Sequence, residues 1–89
     1  MTITKGKLEK DRLNLNLVLI YLNGWEEDSR RIFGGKVMRA WKGYPFDILN
    51  ELDHQGLIRQ LDKSLIITNL GISKAEWLMQ DYFDPQKRV

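Results

Sequence analysis

The chain has no cysteine, two prolines and a single histidine in its 89 residues. Without cysteine there is no disulfide, no thiolate nucleophile and no thiolate metal ligand, and a reducing compartment suits the chain. With one histidine, His54, any nucleophile–base arrangement rests on a single imidazole. His54 stands between Asp53 and Gln55 on the polar side of its segment and reads as a solvated side chain. Asp47, Glu51 and His54 share a helix face at i, i+4 and i+7, which reads as an acidic surface rather than as converging metal ligands. Gly34-Gly35 has neither the spacing of a dinucleotide fingerprint nor a phosphate-binding lysine. Long apolar runs are also missing: Leu17 to Leu22 is six residues, against about 20 for a membrane-spanning helix. Met1-Thr2-Ile3-Thr4-Lys5 lacks the apolar stretch of a signal peptide. The expectation is a soluble cytoplasmic protein that is no enzyme, with no metal, no cofactor and no membrane partner.

What is present is an ordinary globular composition, 43% hydrophobic and 29% charged with net charge +2. The length allows one domain (residues 1–89) with a modest core, for which dimerisation is a natural supplement. Residues 1–10 are polar and basic without apolar periodicity. From about Asp11 the positions Leu13, Leu17, Ile20 and Gly24 repeat at helical spacing, and Leu15, Val18, Leu19 and Leu22 form an adjoining row. Together they predict a long helix with a wide apolar face, stopped at Asn23-Gly24. Trp25 to Phe33 leads with acids and follows with arginines, which suits a short helix in its own dipole field. Lys36 to Trp41 reads as a short strand or extended segment after the Gly34-Gly35 break.

Pro45 is expected at the first position of the next helix, with Tyr44, Ile48 and Leu52 joined by Phe46 and Leu49 in one buried face. Gly56 then stops the helix in the left-handed C′ role. Residues 57–61 and 64–68 read as a hairpin turning at Asp62-Lys63. Thr68 is a good N-cap for a final helix, where Gly71, Ala75, Leu78 and Tyr82 fall on one row and the small residues allow close approach to another helix. Asp84-Pro85 ends it ahead of a basic tail, so the ordered core runs from about 11 to 83.

Leu49-x-x-Leu52-x-x-x-Gly56-Leu57-Ile58, a hairpin, and Thr68-x-x-Gly71-x-x-x-Ala75 resemble the helix–wing–helix segment of bacterial winged helix-turn-helix regulators. More narrowly, Arg39-Ala40-Trp41-Lys42-Gly43, the helix after it and its Gly-Leu-Ile ending resemble a family of small bacterial proteins of unknown function. In this chain the Gly24–Lys36 segment is longer than in that family. The resemblance implies an α+β fold, a small winged-helix-like domain of three to four helices with a short two-stranded β-hairpin wing. It assigns no activity.

The winged-helix resemblance brings double-stranded DNA forward as a partner. Residues 45–55, where a recognition helix falls, carry Asp47, Glu51 and Asp53 and no base, which repels phosphate. The cations lie elsewhere: Arg30, Arg31, Lys36, Arg39 and Lys42, with Trp41 among them, then Arg59 and Lys63 in the hairpin. Such a stretch can grip phosphates and stack on a base, or can be a solvated rim with Trp41 plugged into the core beside Phe46 and Leu49. The competing class is a protein-interaction or homodimerisation module without nucleic-acid binding, using Trp77, Tyr82 and Phe83 of the last helix as interface candidates. Trp77 also suits a plainer role, capping the core against Leu70. The first expectation is a DNA-binding or transcription-associated protein; the second is the interaction module.

Overall fold

The computed structural model describes residues 5–29 and 35–83, the side chains of Ser29 and Phe83 excepted. The elements run α1 (Lys5–Leu22), β1 (Trp25–Ser29), β2 (Gly35–Trp41), α2 (Phe46–His54), β3 (Ile58–Gln60), β4 (Ser64–Ile67) and α3 (Asn69–Phe83). The four strands form one antiparallel sheet in the order β1-β2-β4-β3. The described chain is therefore α+β, with three helices and a four-stranded sheet. The expected β3–β4 hairpin is present, but it is half of a larger sheet and not a free two-stranded wing. Among the described residues no helix is long and apolar enough to cross a membrane.

The largest departure from the sequence reading is Trp25–Ser29, a strand where a short helix was expected. Its register explains the charge pattern. Trp25 lies opposite Arg39 and Glu27 opposite Val37, so Glu27 reaches the diagonal Arg39 (Oε2 to Nη1, 3.0 Å), and Glu26 approaches the diagonal Lys36 at 4.0 Å. Acids followed by bases are here cross-strand partners rather than ends of a helix dipole. The arginines and Phe33 of that expected helix lie outside the described residues. The first helix already includes Lys5–Lys10, ahead of the expected start near Asp11, and Lys7 and Asp11 pair at 2.8 Å across one of its turns.

Leu17, Val18 and Ile20 of α1, Ile48, Leu49 and Leu52 of α2, and Ala75 and Leu78 of α3 bury themselves with Leu57 against Ala40, Ile58, Leu65 and Ile67. These last four mark the helix-covered face of the sheet, and α1 packs between α2 and α3 above it. Only part of the wide α1 face is used: Leu15, Leu19 and Leu22, expected in the core row, are exposed, as is Leu8. The reason is geometric, since a helix at 100° per residue can turn only one side to the sheet.

Two joints hold the hairpin between α2 and α3. At the end of α2, Gly56 takes φ +76°, its N–H donates to Asp53 O at 2.9 Å, and Leu57 N–H donates to Leu52 O at 3.0 Å. This paired closure needs a left-handed residue, and glycine adopts it without penalty. At the start of α3, the Thr68 hydroxyl accepts from Gly71 N–H at 3.1 Å, the expected N-cap. Gly71 sits so close to Leu57 that an added Cβ would stand 1.9 Å from the Leu57 carbonyl oxygen. The close approach foreseen at Gly71 is thus to the chain entering β3, not to another helix. Pro45 is the N-cap of α2 rather than its first residue, with φ −57° and ψ 139°.

Candidate functional site

The basic residues singled out in the sequence do not converge. Arg30 and Arg31 lie outside the described residues. Arg39 is a structural cation: Nη1 meets Glu27 and Nη2 donates to the Ser64 hydroxyl at 2.6 Å, tying β2 to both neighbours. Its Nε is buried with no hydrogen-bond partner, so the guanidinium is held by its two ends. Lys42 is also engaged, donating from Nζ to the Leu61 carbonyl at 3.0 Å. Lys36, Arg59 and Lys63 are exposed. Lys36 and Arg59 line a shallow groove of about 610 Å³ at one end of the sheet, where Glu26 and Asp53 balance them. A lining with two cations and two carboxylates carries no net charge to attract a polyanion.

Replacing Arg39 tests this structural role directly. Arg39→Ala removes two tethers and leaves Glu27 without its partner, which should cost about 1–3 kcal/mol in urea unfolding for a half-buried pair. Arg39→Met, which keeps the aliphatic stem, should lose less.

Trp41 is not in the core. It is 66% exposed, on the sheet face away from the helices, with its ring centroid 5.2 Å from that of Trp25 and the planes at 48°. The β2 pleat decides this, because Ala40 takes the core side and Trp41 must take the other. Phe46, expected in the buried face of α2, is 75% exposed at the helix's first turn. Around it the acidic character of α2 persists. Asp47 accepts both terminal nitrogens of Arg12, at 2.7 and 3.3 Å. Those hydrogen bonds hold the Asp47 carboxyl below the usual carboxylate range. His54 and Glu51 are exposed. Among the described residues no group of three His, Asp or Glu side chains could hold a metal ion.

Of the interface candidates, Tyr82 packs against the core and its hydroxyl donates to Asp11 Oδ1 at 3.4 Å, joining α3 to α1. The Phe83 side chain lies outside the described residues. Trp77 is 65% exposed, and it does not cap the core against Leu70, which is itself exposed. The two are seven residues apart, so both stand on one outward line of α3.

The feature missed in the sequence is on α1. Leu8, Leu15, Leu19 and Leu22 are 45–54% exposed, and their spacings of seven, four and three place them on one line along the helix. Those spacings were legible, but they were absorbed into one broad core face. Opposite this ridge the same helix buries Leu17 and Ile20, so α1 is apolar on two sides and covered on one.

These elements define a small helix-covered antiparallel-sheet domain in which Arg39 and Lys42 are engaged within the domain and several large apolar side chains are left exposed. The chain belongs to the family described as a domain of unknown function, DUF6429, whose model matches residues 9–85. Neither a curated protein nor a solved structure gives a significant match.

Proposed function

We propose that the protein is a cytoplasmic protein-interaction module that works by association and not by catalysis. The observation that carries this reading is the set of large apolar side chains fixed on ordered helices yet left in solvent: the four-leucine ridge of α1, and Leu70 with Trp77 on α3. Apolar side chains lined up on a rigid helix are what a helix-face partner docks on, and aromatic anchors such as Trp77 commonly dominate such contacts.

The second reading, a DNA-binding or transcription-associated winged-helix protein, is supported by the helix–hairpin–helix order of α2, β3, β4 and α3. Exposed Lys36, Arg59 and Lys63 supply its phosphate contacts, with Arg30 and Arg31 from the sequence. Against it stand Asp47, Glu51 and Asp53 on α2 and the structural employment of Arg39 and Lys42. Fold likeness alone is a weak warrant for activity.

Duplex-DNA titration followed by fluorescence anisotropy separates the two. At about 50 mM salt we expect only weak non-specific binding, Kd above roughly 1 μM. Tighter, steeply salt-dependent binding that Arg59→Ala/Lys63→Ala abolishes overturns the interaction reading. Arg39 and Lys42 are unsuitable controls, because replacing them disturbs the sheet.

A further inference from the structure

Resting on the interaction reading, we propose that the partner of the α1 ridge is a second copy of this chain, packed antiparallel about a two-fold axis crossing the ridge at Leu15. Leu8 of each copy then lies over Leu22 of the other, and Leu15 lies against Leu15, with Leu19 filling the flank.

Three observations lead to this arrangement. First, the ridge is centred: Leu8 and Leu22 are each seven residues from Leu15, so reversing one helix superposes leucine on leucine. A two-fold interface requires such self-complementarity. Second, charge chooses the direction. Residues 5–12 hold Lys5, Lys7, Lys10 and Arg12 against Glu9 and Asp11, net +2, while residues 13–22, the rest of the helix, hold no charge. Parallel packing sets one basic tip on the other. Antiparallel packing seats each basic tip beside the partner's uncharged half and opposes the helix dipoles favourably. Third, Arg12, the cation between Leu8 and Leu15 on that line, is held by Asp47 of α2 through two hydrogen bonds. The helix is also already ordered by its packing on the domain, so association does not bear the cost of forming it.

The absence of cysteine makes the geometry directly readable with single introduced thiols. Under mild oxidation Leu15→Cys should cross-link to itself. Leu8→Cys and Leu22→Cys should each stay uncross-linked alone, the like positions being roughly 21 Å apart at 1.5 Å rise per residue, and should cross-link when mixed. In light scattering, the native chain should approach twice its 10.5 kDa mass as concentration rises. Leu15→Glu/Leu19→Glu should return it to a monomer with unchanged helical circular dichroism, and Trp77→Ala should leave the dimer intact. Self-cross-linking of Leu8→Cys, or a strict monomer at roughly millimolar concentration, overturns the proposal. So does a dimer lost on Trp77→Ala but kept by Leu15→Glu/Leu19→Glu, and that outcome leaves the interaction reading standing. Tight duplex binding abolished by Arg59→Ala/Lys63→Ala, by contrast, removes the interaction reading itself.

Discussion

Gly71→Ala is expected to destabilise the domain by roughly 3 kcal/mol or more, beyond the usual 1–3 kcal/mol of core overpacking. Helix propensity alone predicts the opposite sign, because alanine is favoured over glycine inside a helix by about 1 kcal/mol. The structure decides between them. A Cβ at position 71 would lie 1.9 Å from Leu57 O, 2.9 Å from Leu57 C and 3.0 Å from Ile67 Cγ2. The first two are backbone atoms and cannot turn aside as a flexible side chain would. The Leu57 carbonyl is also pinned, accepting Thr68 N–H at 3.1 Å and lying 3.0 Å from the Thr68 hydroxyl. Relief therefore requires moving the start of α3 away from β3, which breaks those hydrogen bonds and the Thr68 cap together. For a domain of this size the loss corresponds to a fall of roughly 12–24 °C in Tm, measurable by thermal circular dichroism. Gly43→Ala is the matched control, since a Cβ there meets nothing within 4 Å, and its Tm should hold or rise slightly.

That joint also shows what a sequence of this kind discloses. Gly56, Thr68 and the α2–β3–β4–α3 order were legible because each is a local rule: a left-handed stop, a hydroxyl cap, an alternating hairpin. Strand β1 was not legible. Trp25-Glu26-Glu27-Asp28 carries no alternating apolar pattern of its own, and its strand character comes from pairing with residues 35–39, where Glu27 meets Arg39. The same non-local pairing moved the candidate site. Arg39 and Lys42 looked available for phosphate when read as a basic stretch, and the sheet register spends them on Glu27, Ser64 and Leu61. Trp41 and Phe46 looked like core because large aromatics usually are. Their exposure follows from the β2 pleat and from the first turn of α2, neither of which composition reveals.

Leucines 15 and 17 put the division of α1 to a quantitative test. They are chemically identical and two residues apart, so about 200° separates them around the helix. Leu17 is fully buried in the main core, and Leu15 is nearly half exposed. Leu17→Ala should cost about 2–5 kcal/mol, the lost transfer energy plus the cavity left in the core cluster. Leu15→Ala should change the stability of the dilute monomer by about 0.5 kcal/mol or less, as for an unexceptional surface position. Urea unfolding at low micromolar concentration measures both on one slope, provided the m-values agree. The pair also separates folding from association. Raising the concentration should stabilise the native chain and Leu17→Ala by the same increment, because mass action on a dimer acts on the folded state. Leu15→Ala should gain much less, since it removes the side chain at the two-fold axis and nothing from the core. A large stability loss at Leu15 in dilute solution would mean that its face is already covered within one chain, and α1 would then have no ridge to offer a second copy.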